Sequence, residues 1–275
     1  MERTTPQLWL RWLQIGAFSP QLRDQYGDYQ TGGPPIEVWS DQGTIEAFRN
    51  YSLWHNRLVP YLYSYARVAS ETGLPLIRYL PLSYPNDSEA WAQESEYLLG
   101  EELLVAPILD EGARSRSVYL PAGEWVDFWT GALYDGGQEI MTAATLERIP
   151  VFVKAGSILP LATDFDTLVR SSDPAVHAWA GDLVVRVMRH TESASSTFRL
   201  YDGSELAYSG DGHQASFSLT GASGPRALEL HLPAASAPSS VLVDGTPNTT
   251  WRFDAAAGEV VLTLQAAEVR VTARQ

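Results

Sequence analysis

Apolar positions recur at helical spacing through the first third of the chain and at strand spacing through the rest, with the changeover near Leu103. The spacing predicts a helix opening at Thr5-Pro6, a hydroxyl N-cap followed by proline where no backbone N–H is needed. Leu8, Trp12 and Ile15 fall on one face of it, with Trp9 and Leu13 beside them, and Gly16 and Pro20 end it. Such a stripe must bury against something, and no earlier segment is present to pack on it. The chain is therefore expected to open part-way through a larger body. A second long helix is expected from Thr44 to Gly73, carrying Ile45, Phe48, Leu58, Leu62 and Ala69, with Pro60 kinking it. Leu74 to Leu82 (LPLIRYLPL) reads as a buried strand whose prolines limit its pairing.

Short apolar runs then follow one another with turn residues between them, among them LLVAPIL, EWVDFWT, VFVKAGSILPLA, DLVVRVMRH and EVVLTL. Their spacing and Val, Thr and aromatic content predict all-β architecture, with sandwiches favoured. Thr163 to Ala180 is looser and divides two β units, while the Ala/Ser/Pro stretch 234–240 reads as an inter-strand loop. Gly27 to Asp41, between the helices, is too long for a simple connection and is expected to be functional.

Composition narrows the partners. A formal net charge of -14 over 275 residues argues against nucleic acid and against adsorption to an anionic membrane. With no cysteine there is no disulfide, thiolate metal site or cysteine nucleophile. The start MERTTPQLWL lacks a basic segment followed by an apolar core, so no signal peptide is read and a cytoplasmic location is the expectation for these residues.

Candidate chemistry is sparse. Asp24 and Asp28 lie in one loop with Arg23 and offer two carboxylates for acid–base work on a glycosidic bond; turn hydrogen bonds and pairing with Arg23 are the competing roles. Glu101-Glu102 reads as a solvated turn. His55, His177, His190, His213 and His231 show no metal-ligand spacing, with His190 and His231 suited to an exposed strand face. Asp202-Gly203 and Asp211-Gly212 fit hairpin turns rather than a calcium loop. No GxSxG elbow and no phosphate-cradling loop is present, and neither metal nor cofactor is expected.

Several segments together resemble glycoside hydrolase family 31, the α-glucosidase and α-xylosidase family. LWLRWLQIGAFSP (Leu8 to Pro20) is similar to a helix late in its catalytic (β/α)8 barrel, and NRLVPYLYSYA (Asn56 to Ala66) and LPLIRYLPLSYP (Leu74 to Pro85) to later barrel signatures. LLGEELLVAPIL, VYLPAGEWVDFWTG and IPVFVKAGSILPL resemble the proximal C-terminal β domain, and FRLYDGSELAYSG more loosely the distal one. Trp125 and Trp129, four apart in EWVDFWTG, are expected to share a strand face and pack on the barrel.

The resemblance implies an α+β multidomain chain: the end of a (β/α)8 barrel, mostly helical and N-terminal, followed by two all-β sandwich domains. The boundaries implied are 1–85, 86–165 and 166–275. It also implies a retaining hydrolase of α-linked glucosides or related sugars that works through two aspartates. In the family these lie before the opening helix, in W-x-D-M-N-E-like and W-x-G-D-like motifs, and neither occurs here. No catalytic residue is therefore expected in this chain, whose partner would be the N-terminal part of the barrel. After its F-x-P turn the family commonly has R-x-H. Aligned on Phe18-Ser19-Pro20, Arg23 takes the arginine position and Gln25 the histidine position, as substrate-binding residues. A non-catalytic carbohydrate-binding or structural β module is the alternative reading.

Overall fold

The computed structural model describes residues 5–23, 36–163 and 181–274. Asp24, Gln25, Asp28, His177, most of the Gly27–Asp41 loop and nearly all of the Thr163–Ala180 divider lie outside the described residues. Five helices occur among those described: α1 (Pro6–Ala17), α2 (Gln42–Arg57), α3 (Val59–Thr72), α4 (Leu80–Ser83) and α5 (Ser88–Ala92). The first strands are β1 (Ile77–Tyr79), β2 (Tyr97–Leu99), β3 (Leu103–Val105), β4 (Ser115–Leu120), β5 (Glu124–Asp127), β6 (Leu133–Asp135), β7 (Gln138–Ala143), β8 (Val151–Lys154) and β9 (Ile158–Ala162). They continue as β10 (Leu183–Val187), β11 (Ala194–Arg199), β12 (Glu205–Gly210), β13 (Gln214–Thr220) and β14 (Arg226–Pro233). The last are β15 (Ser240–Val243), β16 (Thr246–Pro247), β17 (Trp251–Asp254), β18 (Glu259–Ala266) and β19 (Val269–Arg274). The chain is mostly β-sheet with few helices, in two compact units.

The first unit comprises Met1–Asn56, Leu76–Ala122 and Asp135–Phe152. As expected, Thr5 caps α1, its Oγ1 accepting the Leu8 N–H at 3.1 Å, with Pro6 in the first turn. The buried face differs from the expected stripe. Trp9, Leu13 and Ala17 are buried, whereas Leu8 and Trp12 remain 57% and 46% exposed. The reason is polar. Arg11 and Gln14 are buried as well, and their groups bind the carbonyls of Ala144, Thr145 and Leu146 at 2.6, 2.6 and 2.8 Å. The helix is thus rotated toward that segment.

The expected single helix from Thr44 is two. Asp41 and Thr44 form a reciprocal cap, each side chain accepting the other's backbone N–H, so α2 starts earlier than expected. Pro60 then breaks the path rather than kinking it: it sits in the first turn of α3, where its missing N–H costs nothing. The predicted strand 74–82 shrinks to β1. Pro75 and Pro81 flank the short stretch that pairs antiparallel with β2, and Pro81 opens α4 instead. Glu101 does lie in a turn, but it pairs with the buried Arg78 at 2.8 Å.

A carboxylate that sequence reasoning passed over is buried in this unit. Glu96 is 3% exposed, and its Oε1 accepts from Arg116 and from the Tyr119 N–H, both at 3.1 Å. Burial dominates and raises its pKa to about 7 from the ordinary 4.5, against the pull of those two donors. Between those values the native chain holds a proton that the unfolded chain has released. Stability is therefore highest below pH 4.5 in this contribution and falls as pH rises through 7, by about 3 kcal/mol. Arg116 also donates to Pro107 O, Ser95 Oγ and Ser117 O, so it keeps partners without the carboxylate. Denaturant titration from pH 5 to 8 is expected to show a flatter profile for Glu96→Gln and a gain over the parent at pH 8. Parallel profiles in the two proteins would contradict the assignment.

The second unit comprises Arg57–Pro75, Gly123–Tyr134 and Val153–Gln275. Its sheets run β17-β18-β14-β10-β9 and β11-β12-β13-β19-β15-β16, all antiparallel except the β10–β14 pair. Alternation gives each sheet one buried face, with Ala215, Phe217 and Leu219 on β13 and Leu228, Leu230 and Leu232 on β14, the pattern of a β-sandwich. Helix α3 is part of this unit. Tyr61 stacks on Phe198, Ser64 Oγ accepts the Tyr201 N–H at 2.9 Å, and Arg67 donates to the Tyr201 carbonyl at 2.7 Å.

Both Asp-Gly pairs form turns as expected, with Gly203 at φ 90° and Gly212 at φ 83°. Asp202 also pairs with the buried Arg226. The two tryptophans part company. Trp125 is buried on β5, but the strand ends at Asp127, whose Oδ1 accepts the Trp129 and Thr130 N–H groups and turns the chain. His190 follows β10 rather than lying on it. His231 lies on β14, but it is largely buried, with its ring nitrogens 2.8 Å from Glu259 and Glu229.

Candidate functional site

The segment that carries Arg23 is held from three sides within the first unit. Helix α1 ends in the buried Ala17-Phe18 pair, and both carbonyls there are taken by side chains distant in sequence. His55 of α2 donates from Nδ1 to Ala17 O at 3.1 Å, and Tyr97 of β2 donates its hydroxyl to Phe18 O at 3.0 Å. Burial holds the His55 imidazole below its ordinary pKa, which favours the neutral ring that this single donation requires. Burial pushes the Tyr97 hydroxyl up, so it stays a donor.

The turn itself is then fixed locally. Ser19 Oγ lies 2.9 Å from both Gly16 O and Gln21 O, closing the Phe18-Ser19-Pro20 bend. Leu22 folds back over the helix end, where a Cβ on Gly16 would come within 2.8 Å of its Cδ1. A larger residue at that position would have to displace this methyl end of a flexible side chain. Arg23 is exposed at the end of this turn. A cation on a braced, solvent-facing bend can hydrogen-bond sugar hydroxyls through several N–H groups at fixed geometry. Gln25, its expected companion, lies outside the described residues, as do Asp24 and Asp28.

The structure therefore describes one of the two expected substrate-binding residues. It adds His55 and Tyr97, which hold the backbone just before the turn that carries Arg23. Sequence reasoning missed both because their partners are backbone carbonyls, which leave no trace in side-chain identity. Among the described residues no cluster of three His, Cys, Asp or Glu side chains could hold a metal ion. No described helix is long and apolar enough to cross a membrane.

Comparison with known proteins defines the class first. Residues 1–65 match the model of the TIM-barrel domain of the family 31 glycosyl hydrolases, and residues 73–159 match the model of that family's C-terminal domain. Together the two account for more than half of the chain. The chain belongs to glycoside hydrolase family 31.

Its relatives include an isomaltosyltransferase of Sporosarcina globispora, 37% identical over 167 residues that cover 57% of this chain and 15% of that protein. α-Glucosidase 2 of Bacillus thermoamyloliquefaciens is 36% identical over 159 residues, covering 58% of this chain and 20% of that one. Among solved structures, a family 31 dextranase of Flavobacterium johnsoniae complexed with glucose superimposes with a TM-score of 0.83 at 28% identity. That superposition covers 98% of this chain and 37% of the dextranase. The chain thus spans well under half the length of each of these relatives.

Proposed function

We propose that this chain is the C-terminal part of a retaining α-glycoside hydrolase, α-glucosidase-like, that cleaves O-glycosyl bonds of α-linked glucosides or related sugars. The observation that carries the reading is the order of the two family matches, barrel domain then C-terminal domain, along one continuous sequence. The domain division that goes with it is the end of the barrel at 1–85, a proximal β domain at 86–165 and a distal one at 166–275.

In this reading the chemistry needs two aspartates that these 275 residues do not supply, since neither family motif occurs in them. One attacks the anomeric carbon and forms a glycosyl ester; the other protonates the leaving oxygen and then deprotonates the water that releases the sugar. The N-terminal part of the barrel, which would carry both, is the partner, and the exposed Leu8 and Trp12 on α1 are where apolar surface awaits cover.

Arg23 and Gln25 contribute binding in the innermost subsite rather than proton transfer. Gln25 offers a neutral amide where the family usually has histidine, so it donates to one hydroxyl and accepts from another without titrating. In a polypeptide that carries these residues behind both aspartates, Arg23→Ala and Gln25→Ala are each expected to lower kcat/KM by about tenfold or more, from lost charge-assisted or amide hydrogen bonds. Gln25→His is expected to keep activity and add an acidic limb to the pH profile near the ordinary histidine range. Alanine variants indistinguishable from the parent would overturn these assignments.

A further inference from the structure

Within the second unit, the β12–β13 hairpin and the loop after β14 frame a cleft of about 340 Å³. One wall is apolar and rigid, made by Pro233, Ala234 and Pro238, while Arg189 and Gln214 bring polar groups to it. Tyr208 lines it and is nearly buried. The Tyr208 hydroxyl lies 2.8 Å from His190 Nε2, and His190 Nδ1 lies 2.5 Å from the Glu192 carbonyl. A carbonyl only accepts, so Nδ1 carries the hydrogen and Nε2 of the neutral ring accepts from the phenol. The phenol oxygen is left with acceptor capacity.

This pair is built at a cost. Gly210 sits in strand β12, where glycine weakens a strand, and its φ is not among the positive values. Space explains it: a Cβ there would fall 2.1 Å from the Tyr208 hydroxyl and 3.3 Å from His190 Nε2. A strand position has thus been emptied so that a phenol and an imidazole can meet beside a cleft.

We propose that this cleft is a saccharide-binding site separate from the Arg23 turn, taking one neutral glycosyl unit. A pyranose presents C–H faces that suit proline and alanine, and hydroxyl edges that suit Arg189, Gln214 and the phenol oxygen. The volume lies at the small end of the range for ligand sites, roughly 300–1,000 Å³. Charge opposes an anion. Glu124, which binds Thr191, and Asp211, which accepts the His213 and Gln214 N–H groups, stand close to the lining residues and offset Arg189. The choice of a sugar rests on the family reading above, but the site does not depend on catalysis by this chain.

The test uses the 275-residue chain titrated with isomaltose, followed by amide chemical shifts and calorimetry. Saturable binding with Kd of about millimolar strength is expected, with shifts at Gln214, Ala234 and Ala235. Arg189→Ala, at an exposed position, and Tyr208→Phe, checked for an unchanged melting temperature, should each weaken it about fivefold. Arg23→Ala should leave it unchanged, which separates this site from the proposed substrate subsite. No saturation up to about 50 mM, loss on Arg23→Ala instead of Arg189→Ala, or displacement of isomaltose by inorganic phosphate would each overturn the proposal.

Discussion

Arg11→Ala is expected to destabilise the first unit by about 3–5 kcal/mol, enough to bring a protein of ordinary stability close to its threshold. The side chain is 5% exposed and sits midway along α1. Its Nη1 donates to Thr145 O and Gln14 Oε1, at 2.6 and 3.1 Å, and its Nη2 to Ala144 O at 2.6 Å. Burial works against the charge and lowers the Arg11 pKa, with Tyr51 and Glu147 pulling the other way; the short charge-assisted bonds give the buried guanidinium its partners. Alanine would leave two buried carbonyls without donors and Gln14 without its neighbour. Lysine is expected to recover only part of the loss, because one ammonium group cannot reproduce a fork spanning two carbonyls. Urea titrations of the three proteins should rank them parent, Lys, Ala. An alanine variant within about 0.5 kcal/mol of the parent would show that the α1 attachment lies elsewhere. The functional consequence follows from position: α1 carries the Phe18 turn at its end, so loosening it displaces Arg23.

That arginine also shows where the sequence stops being readable. In LWLRWL the stripe through Leu8 and Trp12 reads as the buried side, and nothing marks Arg11 as part of a core. The structure reverses this because the partners are backbone carbonyls 133 and 134 residues away. His55 and Tyr97 were opaque for the same reason. Local chemistry, by contrast, was legible: the Thr5 cap, the turns at Gly203 and Gly212, and the strand alternation of the second unit all rest on contacts within a few residues.

Errors clustered where proline or a turn intervened. Pro60 and Pro81 each open a helix rather than bending one or lying within a strand, because a first-turn proline lacks only an N–H that would have no partner. The four-residue spacing of Trp125 and Trp129 reads as one strand face, but Asp127 turns the chain before Trp129. Of the candidate site, the sequence supplied Arg23 and Gln25 through resemblance alone; the bracing of the turn came from the fold.

The most direct test of the proposed function is a rate measurement on the 275-residue chain by itself with 4-nitrophenyl α-glucoside. On the proposed reading, in which the aspartate pair lies outside these residues, the chain is expected to release nitrophenol at the rate of buffer, and a longer polypeptide carrying both aspartates at an ordinary enzyme rate, on the order of 1–1,000 per second. Turnover in that range by the 275-residue chain, abolished by Arg23→Ala or Asp24→Asn, would place the catalytic machinery within these residues and contradict the reading.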